Sequence, residues 1–85
     1  MEIKVTIPDY SSINGLQLDW EEDFEIFSSV ENDIVTIRAN SAGLISLAKH
    51  LLILAQVEVP TGSHIHLDEL NSLETDSAEI ILEKI

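Results

Sequence analysis

The sequence predicts an α+β domain in which one amphipathic helix (about 41–56) packs on one face of a mainly antiparallel sheet of about five strands, in the order β-β-β-α-β-β. Segments with period-two alternation of apolar and polar residues flank a single run with helical periodicity. Only three Gly and two Pro interrupt the chain. With 85 residues, 45% of them hydrophobic, it has material for one core, so residues 1–85 are predicted to form a single domain.

The first strand is predicted over residues 3–7, where Ile, Val and Ile alternate with polar residues. Pro8 ends it because proline cannot donate a ladder hydrogen bond. Residues 9–15 (DYSSING) have the composition of a turn. The alternation of apolar and polar residues over 16–20 also fits a further short strand.

Two strands joined by a short polar link are predicted next. Residues 24–30 alternate between two faces, residues 34–39 form the next predicted strand, and Glu31-Asn32-Asp33 separates them. A link of three residues favours an antiparallel hairpin, since parallel strands need a much longer crossover.

The helix is the clearest element of the sequence. Asn40 and Ser41 are both good N-cap residues for the run 42–56. One apolar stripe is predicted to face the sheet, and Ile53 lies opposite it and is predicted to be exposed. The stripe consists of Leu44, Leu47, Ala48, Leu51, Leu52 and Ala55.

The C-terminal part of the chain is predicted to add two strands to the sheet. Pro60 and Gly62 interrupt the connector that follows the helix. Residues 64–67 alternate as a short strand, 68–76 form a polar loop, and the last strand is predicted within 77–85.

The charge balance excludes two classes of partner. The chain has 16 Asp and Glu against 4 Lys and Arg, a formal net charge of −12. Nucleic acids and anionic membranes are both recognised by clustered basic residues, which this chain lacks. Its apolar runs are far shorter than the roughly 20 residues of a membrane span, and its N-terminus lacks the pattern of a signal peptide. Together with the absence of Cys, these features lead us to expect a cytoplasmic protein.

His64, His66 and Asp68 form the strongest candidate for metal chemistry. Residues two apart in a strand share a face, and two imidazoles with a carboxylate resemble part of a zinc or iron site. A complete site needs a further ligand, for which His50 is the candidate, although His50 lies off the packing stripe. The alternative, favoured here, is that both imidazoles make structural hydrogen bonds.

Nothing else in the sequence predicts catalysis or a cofactor. There is no Cys nucleophile, no Gly-x-Ser-x-Gly motif and no phosphate-binding glycine loop. With 16 acids among 85 residues, close carboxylate pairs arise by chance and indicate no acid–base site. The chain is therefore predicted not to be an enzyme and to need no cofactor.

An acidic segment, residues 19–25, is the second candidate site. Its five carboxylates in seven positions are either a solvated loop or a docking surface for a basic partner. An aromatic residue inside the cluster favours docking, since interface hot spots are often aromatic. The predicted partner-binding residues are Asp19, Trp20, Glu21, Glu22, Asp23 and Glu25.

The C-terminal part of the chain resembles the bacterial immunity protein 32 family. The resemblance lies in residues 40–51, in Leu54-Ala55-Gln56, in the segment Pro60 to Glu69 (PTGSHIHLDE) and in the ending, residues 72–74 and 77–84. It covers a little over half of the chain, and GSHIHLDE is its most specific part.

This resemblance implies a role in a polymorphic toxin system, in which an immunity protein binds and neutralises a cognate toxin by stoichiometric binding. The −12 charge adds the expectation that the toxin is basic, as nucleases often are. The alternatives are a small metal-binding domain or metal-dependent enzyme built on His64, His66 and Asp68, and a generic interaction domain. A homodimer is a further prediction, because closed homodimers are common.

Overall fold

The structure is a computed structural model that describes residues 1–85. It contains β1 (Ile26–Glu31), β2 (Ile34–Ala39), α1 (Ser41–Leu54), β3 (His64–Leu67) and β4 (Ile80–Glu83). The predicted α+β class and single helix are confirmed. The prediction of one sheet of about five strands was wrong, because four strands form two separate antiparallel pairs, β1–β2 and β3–β4. The observed order is β-β-α-β-β. No helix is long and apolar enough to span a membrane.

The predicted first strand at 3–7 is absent. This segment pairs with no strand. It lies beside α1 and is largely exposed, with only Val5 and Ile7 partly buried. The Gln56 side chain fixes the residues that follow: its Nε2 donates to the Pro8 carbonyl at 3.1 Å, and its Oε1 accepts from the Tyr10 N–H at 2.9 Å. The predicted short strand at 16–20 is also absent, and only an isolated bridge between Ser11 and Gly15 occurs nearby.

The β1–β2 hairpin confirms the predicted antiparallel pair, with one correction to its turn. Glu31 is paired with Ile34, so the link has two residues and not three. Asn32 and Asp33 have φ of 52° and 64°. Positive φ at both central positions is the geometry of a type I′ turn, whose twist matches that of the strands and for which Asn and Asp are favoured.

β1 has partners on both of its edges. On the edge away from β2, the Ile26 carbonyl accepts from Glu74 N–H at 2.9 Å and the Ser28 carbonyl accepts from Ala78 N–H at 3.0 Å. The Ser28 N–H in turn donates to Ser77 Oγ at 3.2 Å. The segment before β4 therefore joins the hairpin to the C-terminal pair of strands.

The core lies between β1, the inner side of α1 and the β3–β4 pair. Its fully buried members are Ile26, Leu54, Val59, Ile65, Leu67 and Leu73. In β3 the predicted alternation holds, with Ile65 and Leu67 buried and the two histidines exposed.

The helix packs through the side opposite to the one predicted. Ile53, predicted to be exposed, is 1% exposed. Leu44 and Leu51, predicted to pack on the sheet, are more than half exposed. The inward residues are Gly43, Ser46, His50, Ile53 and Leu54, with Leu47 at the boundary.

Small residues on the inner side explain this orientation. A Cβ at Gly43 would collide with the Glu25 carbonyl oxygen and approach the Ala39 Cβ at 3.0 Å. The helix therefore approaches the hairpin as closely as it does because Gly43 has no side chain. It begins at the predicted cap, where Asn40 Oδ1 accepts from Gly43 N–H at 2.8 Å, and it ends at Leu54, two residues before the predicted end.

Candidate partner-binding surface

The acidic segment 19–25 crosses the N-terminal part of α1 and is fixed to it by backbone hydrogen bonds. Glu21 N–H donates to Ser46 Oγ at 2.8 Å. Asn40, the N-cap of α1, accepts from Glu25 N–H at 3.0 Å and donates through Nδ2 to the Asp23 carbonyl at 3.0 Å. The segment is thus held by side chains of the helix rather than by a sheet, which explains why its alternation does not produce a strand.

The carboxylates of the segment fall into two groups. Asp19 and Glu21 lie 2.8 and 3.4 Å from Lys49 Nζ. The hydrogen bond to Asp19 raises the pKa of Lys49 above its ordinary value, assisted by both negative charges and opposed by desolvation. The other three, Glu22, Asp23 and Glu25, are exposed and have no ion-pair partner.

Trp20, predicted as a partner-binding residue, also packs inside the protein. Its ring stacks on Phe24 with a centroid distance of 4.4 Å and meets His50 edge-on at 4.1 Å. The side chain is half-buried and packs against the core. The segment therefore presents its exposed carboxylates to solvent, while its aromatic residues cover the inner side of the helix.

His50 has a role that the sequence did not indicate. It is fully buried, and neither ring nitrogen has a hydrogen-bond partner. Desolvation lowers the pKa of His50 below its ordinary value, and the backbone of Asp19, followed by its carboxylate charge, opposes the shift only in part. Its position one turn after Ser46 and one before Ile53, on the inner side of the helix, was the available signal, but periodicity alone assigned that side to solvent.

The outer face of α1 is a second surface that the sequence analysis missed. It carries Leu44, Ile45, Leu51 and Leu52, which are 54%, 44%, 53% and 48% exposed. Beside the first turns of the helix, a surface groove of about 620 Å³ is lined by residues of the helix, of residues 3–6 and of the acidic segment. Half of its ten lining residues are apolar, and the polar ones include Lys4 and Lys49 as well as Asp19 and Glu21. The volume lies in the range of ordinary binding pockets.

The histidine pair is exposed on the outer face of β3. The rings of His64 and His66 are 5.0 Å apart between centroids, as the shared face predicted. His64 Nδ1 lies 3.2 Å from the Gly62 carbonyl and His66 Nδ1 lies 3.3 Å from Glu79 Oε2. Both imidazoles thus have protein partners within hydrogen-bond distance.

Asp68, the third residue of the predicted metal set, makes hydrogen bonds to the backbone of the following turn. Asp68 Oδ1 accepts from the N–H groups of Leu70 and Asn71 at 2.9 and 3.1 Å, which closes the turn after β3. His50, the candidate fourth ligand, is buried on the inner side of α1. No group of three or more His, Asp or Glu side chains has an arrangement that could hold a metal ion.

Comparison with known families decides the class of the protein. The family model described as Immunity protein 32 matches residues 34–85, which is more than half of the chain. The chain belongs to the immunity protein 32 family. No curated protein and no solved structure matches the chain.

The family match includes some of the candidate surfaces and leaves others outside it. The outer face of α1 and the histidine pair of β3 lie within the matched residues 34–85. The acidic segment and residues 3–6 lie outside them. An immunity protein 32 domain therefore supplies one wall of the groove here, and the N-terminal third of this chain supplies the other.

Proposed function

We propose that this protein neutralises a cognate bacterial toxin by binding it stoichiometrically, without catalytic turnover. The observation that carries the proposal is membership of the immunity protein 32 family. We further propose that the protein acts in the cytoplasm of the cell that produces the toxin, as part of a polymorphic toxin system.

The proposed toxin is basic, and the distribution of charge supports this. Only Asp19, Glu21 and Glu79 lie within ion-pair distance of a cationic or protonatable group, which leaves 13 of the 16 acids unpaired. Three of the four cations are already engaged: Lys49 is ion-paired, Lys84 Nζ donates to two backbone carbonyls at 2.7 and 2.8 Å, and Arg38 lies over the Phe27 ring. Only Lys4 remains free. A basic partner, such as a nuclease domain, would neutralise this surface.

Within this proposal, the exposed carboxylates of the acidic segment steer the toxin. Glu22, Asp23 and Glu25 are adjacent, solvent-exposed and held on a segment fixed to the helix. Charges of this kind mainly increase the association rate, and their effect falls as salt rises.

Co-purification with the toxin domain encoded by the neighbouring gene tests the function. The expected result is a 1:1 complex at low salt and loss of toxin activity as one equivalent of the immunity protein is added. If toxin activity persisted at several equivalents and no complex formed at low salt, the proposed function would be rejected. Light scattering on the free protein tests the predicted homodimer in the same preparation.

A charge-matched pair of variants tests the acidic segment. In the first, Glu22→Gln, Asp23→Asn and Glu25→Gln remove three exposed charges; in the control, Glu31→Gln, Glu58→Gln and Glu83→Gln remove three others that are exposed and unpaired. Stopped-flow association should slow by roughly tenfold in the first and much less in the control, with a weaker salt dependence. Equal slowing in both variants would assign steering to net charge and not to the segment.

A further inference from the structure

The outer face of α1 is an apolar stripe that the fold leaves uncovered. At 3.6 residues per turn, Leu44, Ala48, Leu51 and Ala55 follow one another along one side of the helix, and Ile45 and Leu52 flank them. All six are exposed. The opposite side of the helix already packs on the core, so this stripe is not needed to hold α1 in place. A contiguous apolar surface with this much exposure is characteristic of an interaction site.

The groove gives one end of this stripe a defined shape. Ile3 and Val5 form one side of it, and Leu44 and Ile45 form the other. Asp19 and Glu21 also line it and are bridged by Lys49, and Lys4 is a further lining cation. A side chain of a partner could enter the groove and bury apolar surface on both sides.

Charge decides which partner fits. A second copy of this chain would bring another −12 charges to the interface, and of its four Lys and Arg only Lys4, which lines the groove, lies outside every ion pair, hydrogen bond and ring contact. The unpaired carboxylates of the acidic segment therefore favour a partner with Lys and Arg around an apolar centre over a homodimer.

We infer that the outer face of α1, with its groove, is the surface on which the cognate toxin docks. This inference rests on the proposed function and adds to it the location and the chemistry of the contact: apolar toxin side chains lie on Leu44, Ile45, Leu51 and Leu52, and basic side chains surround them. The acidic segment determines how fast the toxin arrives, and the helix face determines how long it stays. Central apolar contacts act mainly on the dissociation rate.

A polar double variant isolates the apolar contact. Leu44→Gln with Leu51→Gln keeps the charge and the helix propensity of α1 while removing apolar surface from the exposed stripe. Leu70→Gln is the control, because Leu70 is 93% exposed in a loop and undergoes the same chemical change. Far-UV circular dichroism and urea unfolding check that the double variant and Leu70→Gln fold like the wild-type protein.

Surface plasmon resonance with the toxin domain of the neighbouring gene is the readout, with light scattering on each free protein. The double variant should raise the Kd at least about 30-fold, mainly through faster dissociation, and this increase in the dissociation rate should be the same at low and high salt. Leu70→Gln should change the Kd less than about threefold. If wild-type protein and double variant bind equally well, the inference is wrong while the proposed function stands.

Two other outcomes would also reject the inference. If the wild-type protein itself does not bind the toxin, the proposed function fails and the docking surface fails with it. If light scattering shows a dimer that the double variant abolishes, the helix face serves a second copy of the chain instead.

Discussion

Replacing the buried His50 should make the protein more stable and less sensitive to acid. In the native structure the imidazole is fully buried against Trp20, and its two nitrogens have no hydrogen-bond partner. The substitution His50→Leu removes both ring nitrogens and places an apolar side chain of similar size in the same position.

The expected gain follows from two opposing contributions. An unsatisfied buried polar group costs about 1–3 kcal/mol, and the His50 ring counts as one such group because the Asp19 backbone lies close enough to act on its pKa. Loss of the edge-on contact with Trp20 should cost about 0.5–1.5 kcal/mol. The mid-range values of the two contributions give a net gain of about 1 kcal/mol in the free energy of unfolding near neutral pH.

The pH dependence provides a second signature of His50. Because burial lowers its pKa in the folded state, the unfolded chain binds a proton first as the pH falls below the unfolded value of 6.5. The wild-type protein should therefore lose up to about 1.4 kcal/mol between about pH 7.5 and 5.5, as long as the folded imidazole stays neutral. This loss should be absent in His50→Leu.

Urea unfolding followed by circular dichroism across this pH range measures both effects. His64→Gln is the matched control, because it removes an exposed histidine and should keep the acid sensitivity of the wild-type protein. The reasoning is refuted if His50→Leu is the less stable protein near neutral pH and retains the same dependence on pH. That result would mean that the imidazole is well satisfied in the native state.

Three further predictions test the contacts that set the helix in place. Gly43→Ala should destabilise the protein by about 2 kcal/mol or more in thermal unfolding, because the new Cβ collides with the Glu25 carbonyl. If the variant is instead more stable, as the higher helix propensity of Ala alone would predict, the helix does not approach the hairpin this closely. Asn40→Ala should cost about 1–3 kcal/mol in urea unfolding because it removes Oδ1, the acceptor for the N–H groups of both Glu25 and Gly43. Asn40→Ser should recover part of the loss by keeping a capping oxygen, and equal losses in the two variants would argue against a capping role. The raised pKa of Lys49 means that its ion pairs contribute fully at neutral pH and weaken only above about 10.5. Lys49→Met should therefore lower stability at low salt and less so near 1 M salt, where Asp19 and its neighbours are screened, and a difference independent of salt would contradict this.

The sequence predicted the local structure of the central and C-terminal regions better than it predicted the packing. The hairpin, the Asn40 cap and the strand at 64–67 each depend on neighbouring residues, so their patterns could be read directly. The alternation at 3–7 was misleading because an extended segment shows the same pattern when it lies beside a helix as when it joins a sheet.

The orientation of the helix could not be predicted because both of its sides are partly apolar. Hydrophobicity favoured the side with Leu44 and Leu51, whereas the core selected the side on which Gly43 and Ser46 permit close approach. Which side packs depends on the shape of the neighbouring elements, and a single sequence does not contain that information locally. Part of the candidate site was missed for the same reason: the leucines assigned to the core are the exposed ones on the outer face of α1, where we infer that the toxin docks.

Because β1 is hydrogen-bonded on both of its edges, the folded domain has to include it. The matched residues 34–85 contain β2, α1, β3 and β4, but β1 and the buried Ile26 precede them. A fragment that starts at residue 34 would leave β2 without its partner strand, uncover the inner side of the helix and release the backbone of residues 74–78. The boundaries of the sequence family and those of the cooperative structure therefore differ in this protein, and a minimal expression fragment has to extend upstream through β1.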